Sequence, residues 1–279
     1  MASYRYVVAD VFTDTALEGN QLAVFTDGRG LSPERMQRLA REINFSETVF
    51  VLPAEADGDV RIRIFTPATE VLFAGHPTLG SAFVLGGPLQ KVEVRLETGA
   101  GTVPVELERE GPRIVFGRMR QPIPAVRPYE RADELLDALG VRSELPVEAY
   151  DNGMEHAYVV LGSPDEVAAL EPDFRALRTF APVGVNCCAG AGRSWKTRMF
   201  APGDGVDEDP ATGSAAGPLS LHLARHGRIA FGDEIEISQG AELGRPSTLY
   251  ARPIGTADSV ERIEVGGSAV VVARGEFRL

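Results

Sequence analysis

Three titratable residues stand in sequence contexts that suit proton transfer or polar recognition: Glu47, His76 and Asp209. Glu47 has Phe45 and Val49 two places away on either side, so on a strand the three side chains share the face that alternation usually buries. Burial raises the pKa of a carboxyl group, and a glutamate of raised pKa can both give and take a proton near neutral pH. An ordinary solvated glutamate on an edge strand is the alternative, and for a lone acid it is the commoner case.

His76 and Asp209 occupy equivalent places in a duplicated motif. Residues 65–82 return in similar form as residues 200–215, with a loop that differs slightly in length. In each copy a polar residue precedes a proline, and a Gly-Ser-Ala triplet leads into a helix. The duplication predicts two similar lobes that carry unlike polar groups at one common place. The matching positions are Pro67 and Pro202, Pro77 and Pro210, and Gly80-Ser81-Ala82 and Gly213-Ser214-Ala215.

The start of each of these two helices is expected to form one side of a binding site. A residue before proline avoids the helical region, so His76 and Asp209 should lie in the extended segment that leads into each helix. Gly75 and Gly213 allow the backbone to approach a ligand, and the first N–H groups of a helix have no partner within it. Two helix starts that face each other could therefore bind a carboxylate. The alternative is that side chains such as Asp209 and Ser214 only cap the helices.

The sequence offers a single proton-transfer group. A racemase needs a base on each face of a carbon atom. The position in the second half that is equivalent to Glu47, around residues 183–186, holds no carboxylate. One base favours removal and return of a proton on one face, which is the chemistry of an isomerase that moves a double bond. No cofactor fingerprint is present. An epimerase or racemase of a cyclic or amino-acid substrate, and a non-catalytic small-molecule-binding protein, stay open as alternatives.

A pair of histidines near the end of a predicted helix raises the question of zinc. His222 and His226 are four residues apart, on one face of that helix. Residue 223 is leucine where the zinc protease motif has glutamate, so that motif fails. His226 is better explained by the favourable field at a helix C-terminus. We therefore predict no metal site.

Periodicity and turn residues predict an α+β fold of two lobes. A helix over Pro33–Ile43 follows the N-cap Ser32, with one apolar face. The proline-dense segment 121–128 marks a boundary between an N-terminal lobe, residues 1–122, and a C-terminal lobe, residues 123–279, whose last strand could return to the first. Strands are predicted near residues 4–10, 22–25, 45–52, 61–65, 91–119, 147–151, 157–161, 184–188, 194–200, 234–238, 247–251, 263–265 and 269–274, and helices near 131–139, after Ser163 and over 214–227.

Composition limits the partners and the compartment. A net charge of -12 argues against nucleic acid and against an anionic membrane surface. No apolar run is long enough to cross a bilayer, and the N-terminus lacks the features of a signal peptide, so a cytoplasmic protein is expected. Cys187 and Cys188 are neighbours on a predicted strand, where their side chains point to opposite faces, and are expected to be buried free thiols.

These motifs resemble those of the phenazine-biosynthesis isomerase family, PhzF-like proteins of the diaminopimelate-epimerase fold. The resemblance runs nearly from end to end. It rests on Gly19-Asn20, Phe45-Ser-Glu-Thr, Phe65-Thr-Pro, Ala74-Gly-His-Pro-Thr-Leu-Gly, Glu208-Asp-Pro-Ala-Thr-Gly-Ser-Ala-Ala-Gly-Pro, Leu221-His-Leu-Ala-Arg-His-Gly and Gln239-Gly-Ala-Glu-Leu-Gly-Arg-Pro-Ser.

The resemblance implies a fold, a substrate and a set of roles. Each lobe would be a curved, mostly antiparallel sheet wrapped around a central helix, with the active site in the cleft between lobes and a homodimer as the assembly. The substrate would be a small anionic diene, trans-2,3-dihydro-3-hydroxyanthranilate, converted without a cofactor as one step towards phenazine antibiotics. The roles implied are catalysis by Glu47, His76 and Asp209, and substrate binding by Asn20, Ser46, Gly75, Gly213 and Ser214.

Overall fold

Strands make up most of the chain, and two long buried helices lie against them. The computed structural model describes residues 2–279. The strands are β1 Ser3–Val11, β2 Asn20–Phe25, β3 Glu47–Leu52, β4 Val60–Phe65, β5 Glu70–Val71, β6 Glu93–Thr98, β7 Gly101–Glu110, β8 Arg113–Gln121, β9 Ala125–Pro128, β10 Glu148–Asp151, β11 Glu155–Val160, β12 Gly184–Ala191, β13 Ser194–Ala201, β14 Val206–Asp209, β15 Ile235–Gln239, β16 Ser247–Gly255, β17 Val260–Gly267 and β18 Ala269–Arg278. The helices are α1 Pro33–Ile43, α2 Gly75–Leu89, α3 Ala132–Leu139, α4 Pro164–Ala168, α5 Phe174–Leu177 and α6 Gly213–Arg225.

Hydrogen bonds join all of these strands into one continuous, mostly antiparallel sheet. The parallel pairs are β2–β3, β4–β6, β11–β12 and β13–β15. β17 pairs with β8, and β18 pairs with β1 along its whole length, so the end of the chain is hydrogen-bonded to its beginning. The two copies of the duplicated motif therefore belong to one continuous sheet.

The helices α2 and α6 occupy equivalent places, each buried against its own part of the sheet. α2 contacts β1, β2, β6, β7 and β8, whereas α6 contacts β11, β16 and β17. Both are buried over nearly all of their length, and the first residues of both are buried too. A helix that is apolar on all sides is typical of such a position. The two N-termini lie next to each other, which brings the two motif copies together.

Local signals in the sequence describe several elements well. α1 spans the predicted Pro33–Ile43, with the Ser32 hydroxyl accepting a hydrogen bond from the Arg35 N–H. α4 begins after Ser163, which accepts from Glu166 N–H in the same way. Cys187 and Cys188 are buried free thiols on β12 that face different clusters of the core.

The predicted place of His76 is wrong in one respect. α2 begins at Gly75, so His76 lies in the first helical turn and not in an extended segment before it. Pro77 is compatible with this turn because an N–H in the first turn has no helical acceptor to lose. The steric preference of a residue before proline is overridden here by burial of the turn. Asp209, in contrast, ends β14 and is extended as predicted.

Among residues 2–279, the structure contains no helix with the length and apolar character that a membrane span requires.

Candidate active site

The site lies where the N-termini of α2 and α6 meet. A Cβ atom added at Gly75 would collide with the backbone of Gly213 and Ser214, and one added at Gly213 would lie 3.0 Å from the carbonyl carbon of Gly75. Only glycine at both positions permits this approach. Ala74 and Thr212 are the N-cap residues, and within the described chain neither helix receives a side-chain cap hydrogen bond. The alternative, in which polar side chains only cap these helices, therefore does not hold, and the first N–H groups stay available to a ligand.

Glu47 is the first residue of β3, and the neighbouring strand β2 pairs with it through Leu22. It is 7% exposed, so the edge-strand alternative does not hold. Removal from water, and then the charges of Asp209 and Asp204, raise the pKa of Glu47 well above its ordinary value of 4.5. Such a group exchanges protons much nearer to neutral pH than an exposed glutamate does.

His76 faces Glu47 across the site, with its Nε2 atom 3.5 Å from Glu47 Oε2. Burial lowers the pKa of His76 to about 3, so the ring is neutral at pH 7. The Asn20 side-chain nitrogen, a donor, lies 3.1 Å from His76 Nδ1. That nitrogen has two protons, which point to the closer oxygen atoms of Asp209 and Ala211, so the contact orients the His76 ring without assigning the ring proton to either nitrogen.

Asp209 is held by hydrogen bonds at both carboxylate oxygens. Asn20 donates to Oδ1 at 2.8 Å, and the Thr212 hydroxyl donates to Oδ2 at 2.6 Å. The pKa of Asp209 is raised by its removal from water, while hydrogen bonds from Thr212, Ser46 and Asn20 act in the opposite direction. The two carboxyl groups therefore differ in their hydrogen bonding: both oxygens of Asp209 accept hydrogen bonds from the protein, whereas Oε2 of Glu47 accepts none among the described residues.

Two buried polar atoms point at the same small space. Glu47 Oε2 and His76 Nε2 have no hydrogen-bond partner among residues 2–279. They border a cavity of about 20 Å³, which is close to the room that a single water molecule needs. Buried polar atoms without partners are rare in folded proteins, and a bound ligand is one explanation for them. The cavity is lined by Ser46, Glu47, Thr66, Ala74, Gly75, His76, Met154, Met199, Ala201, Asp204, Val206, Asp209, Thr212, Gly213 and Ser214.

The structure brings all the predicted site residues to this place, although not in equal positions. Ser46 is half-buried at the cavity wall, and Gly75, Gly213 and Ser214 line it through the two helix starts. Asn20 is set back from the cavity, where its amide donates to Asp209 and, at 2.9 Å, to the Ala211 carbonyl. Its geometry suits positioning of Asp209 and His76 better than contact with a ligand.

Several residues that the sequence analysis did not single out hold the site in shape. Gln239 donates to the Asp209 carbonyl at 2.8 Å and accepts from the Thr212 N–H at 3.1 Å. His156 lies 3.0 Å from the Ser214 hydroxyl through its Nε2 atom. Asp204 lies at the cavity wall. Thr212 and Asp204 lie inside the duplicated motif, and Gln239 lies within a segment that carries the family resemblance, so all three had a signal in the sequence; His156 had none.

Comparison with known proteins fits this geometry. A sequence profile described as "Phenazine biosynthesis-like protein" matches residues 9–275. The chain belongs to this phenazine biosynthesis-like family. One relative, a trans-2,3-dihydro-3-hydroxyanthranilate isomerase from Pseudomonas aeruginosa, is 53% identical over 99% of this chain and 100% of its own.

Solved structures agree with the family assignment. A Bacillus anthracis phenazine biosynthesis protein of the PhzF family superposes with a TM-score of 0.83 at 26% identity, covering all of both chains. A hydroxyproline epimerase from Agrobacterium vitis has a TM-score of 0.67 at 13% identity, over 98% of this chain and 92% of its own, and so shares the fold. The predicted α+β, epimerase-type fold class is confirmed.

Proposed function

We propose that this protein is a trans-2,3-dihydro-3-hydroxyanthranilate isomerase that needs no cofactor and uses Glu47 as its only proton-transfer group. The observation that carries the proposal is the buried Glu47 carboxyl, whose Oε2 atom lacks a partner within the described residues and faces His76 between two uncapped helix starts. The names of relatives at 50–53% identity over nearly the whole chain support the choice of substrate.

The proposed reaction is a proton transfer along one face of the ring. Glu47, as the carboxylate, takes the proton from the hydroxyl-bearing carbon, and the electron pair left behind extends the conjugated system. Glu47, now protonated, returns the proton at the far end of that system, so the double bonds move and the hydroxyl becomes an enol. The enol then takes its ketone form. No atom is gained or lost, and the base is regenerated.

The surrounding groups are suited to hold this substrate. Backbone N–H groups at Gly75, Gly213 and Ser214 lie where two helix N-termini converge, a favourable place for the substrate carboxylate. His76 would form a hydrogen bond to the hydroxyl through Nε2, and Asp209 would accept from the amine, with Ser46 orienting the ring. These local donors would act against the repulsion that a net charge of -12 exerts on an anionic substrate.

Replacement of the carboxyl tests the central role. Glu47→Gln is expected to lower turnover of the diene by at least about 10²–10⁴-fold, because a placed proton-transfer group contributes that much. The variant should fold normally, since an amide removes the cost of burying a charge. Turnover is followed by the absorbance change of the diene, and folding by thermal unfolding. The same substitution at the exposed Glu42 is the control, and near-full activity in Glu47→Gln would overturn the assignment.

Isotope labelling separates isomerisation from epimerisation. In deuterated water the solvent label should appear at the reprotonated carbon of a rearranged product. Label returned to the original carbon with inversion would identify an epimerase, and unchanged diene in the presence of tight binding would identify a binding protein.

The assembly and compartment belong to the same proposal. We expect a cytoplasmic homodimer that binds no nucleic acid, as the family resemblance and the acidic net charge suggest. Light scattering at micromolar concentration measures the assembly, and a monomeric mass for an active sample would contradict it.

A further inference from the structure

A second cluster of potential ligand groups lies at the far end of α6, away from the cavity. It consists of Glu148 on β10, and His222 and His226 at the end of α6. Glu148 Oε2 lies 3.2 Å from His222 Nδ1 and 3.1 Å from His226 Nε2. One ligand atom from each of the three residues lies within 4.8 Å of the other two.

The two distances from Glu148 are compatible with those between ligand atoms of a tetrahedral metal ion. Two histidine nitrogens and a carboxylate oxygen are a common ligand set for Zn²⁺, with bonds of about 2.0–2.2 Å. Neighbouring ligand atoms of such a tetrahedron are about 3.3 Å apart, close to the two measured separations. The failed protease motif is no obstacle, because the carboxylate comes from a strand 74 residues away from His222 and not from residue 223.

The groups around the cluster support the three ligands. The Tyr150 hydroxyl donates to Glu148 Oε2 at 2.8 Å and lies 3.1 Å from His222 Nδ1. Arg225 approaches the other carboxylate oxygen, Glu148 Oε1, at 3.7 Å, which fixes the orientation of the carboxylate. The Arg225 contact is of the kind that orients a metal ligand from outside, whereas Tyr150 donates to Glu148 Oε2 itself, an oxygen that keeps a second lone pair for an ion.

The three side chains differ in burial, so the cluster is enclosed by protein but remains accessible to an ion from solvent. The His222 side chain is fully buried, whereas that of His226 is 22% exposed and that of Glu148 is 14% exposed. A bound ion would replace the hydrogen bonds that His222 Nδ1 and His226 Nε2 make to Glu148 Oε2, with release of the protons that those nitrogen atoms carry. An ion can reach the cluster from solvent past His226.

We propose that Glu148, His222 and His226 bind one divalent transition-metal ion of the zinc class per chain, with a structural role. The ion would clamp the C-terminal end of α6 to β10. His222 is nine residues along α6 from Gly213, about 13 Å at the helical rise of 1.5 Å per residue, so the ion takes no part in the chemistry at Glu47. The inference does not depend on the proposed isomerase function.

Binding is measured on the full-length protein after treatment with a chelator. Titration calorimetry with ZnCl₂ should give one ion per chain, and the unfolding temperature should rise with the logarithm of the zinc concentration, because an ion bound only to the folded state stabilises it by mass action. MgCl₂ should have no such effect. Co²⁺ should give the visible absorption of a tetrahedral site with nitrogen and oxygen ligands.

Variants locate the site. His226→Gln and Glu148→Gln, at the two partly exposed positions, should weaken zinc binding at least about 100-fold, since loss of a ligand costs no less than loss of an outer contact. Glu144→Gln is the matched control, because this exposed glutamate pairs with Arg228 close by and lies outside the cluster. It should bind zinc like the unaltered protein. The proposal fails if the unaltered protein shows no saturable zinc binding, or if His226→Gln binds zinc equally well.

Discussion

At the scale of single residues, the site depends on a difference between two buried carboxyl groups. Asp209 accepts hydrogen bonds from Asn20 and Thr212, whereas Glu47 Oε2 has no partner among the described residues. Environments that make the pKa values of two carboxyl groups differ in this way allow one group to carry a proton while the other acts as a fixed anion. The proposed division of labour between Glu47 and Asp209 follows from this contrast.

Asp204 offers a way to move the pKa of Glu47 without touching the site's hydrogen bonds. Its charge is one of the causes that raise the pKa of Glu47, after desolvation and the charge of Asp209. Because Glu47 must be ionised to accept a proton, activity should fall as the pH drops below its pKa. Asp204→Asn should therefore lower the pKa of Glu47 and shift the acid limb of the kcat/KM profile to lower pH. An unchanged acid limb would show that this limb reports another group.

Buried neutral histidines should make the protein sensitive to mild acid. Burial lowers the pKa of both His76 and His156 to about 3, against an ordinary value of 6.5. Between pH 6.5 and 3 the unfolded chain binds these protons and the folded chain does not, so stability falls as pH falls, by up to about 1.4 kcal/mol per pH unit for each histidine. The free energy of unfolding at pH 7, 6 and 5, from denaturant titration, measures this slope. His156→Gln should reduce the slope, and an identical slope would contradict the assignment.

At the scale of elements, the approach of α2 to α6 is controlled by glycine. Gly75→Ala is expected to cost about 1–3 kcal/mol, because its methyl group would meet the backbone of Gly213 and Ser214 and overpack the contact. It should also reduce turnover, since the helix starts would be forced apart. The control is Gly87→Ala in the same helix, where an added methyl group has nothing within 4 Å. That change should be neutral or stabilise by about 0.5–1 kcal/mol, as alanine is the better helix former.

The elements also show how far a sequence can be interpreted. Helix caps and proline signals are local, so α1 and α4 could be predicted closely from Ser32 and Ser163. The duplicated motif predicted that two helix starts would meet, because a repeated sequence implies that the same structural unit occurs twice. The helical position of His76 could not be predicted, since the preference of a residue before proline is weak compared with burial of the whole turn. Contacts across long separations also leave no spacing signal, as for Asn20 and Asp209, which are 189 residues apart.

At the scale of the whole molecule, the cavity presents a problem of access. Its volume of about 20 Å³ holds roughly one water molecule, whereas the proposed substrate is a six-membered ring with three polar groups. We therefore expect the two copies of the motif to move apart when substrate enters. Residues 65–82 and 200–215 both contribute to the cavity wall. Exposed members of the two copies, Ala68 and Gly205, lie next to each other, close in the chain to the wall residues Thr66, Asp204 and Val206, and we call this pair the mouth of the cleft.

A disulfide across the mouth should hold the molecule shut. A Cβ atom built at Gly205 lies 3.9 Å from Ala68 Cβ, within the range that a disulfide spans. The double variant Ala68→Cys and Gly205→Cys should lose turnover when oxidised and regain it when reduced, since only the oxidised form is closed to substrate. Cys187 and Cys188 are buried and should not interfere.

The single variants separate closure from strain. Gly205 has a φ of 85°, so cysteine there is strained whether or not a bond forms, and Gly205→Cys alone measures that cost. Ala68→Cys alone should behave like the unaltered protein in both oxidising and reducing conditions. Full activity in the oxidised double variant, with the disulfide confirmed by mass spectrometry, would mean that substrate reaches Glu47 without separation of the two motif copies.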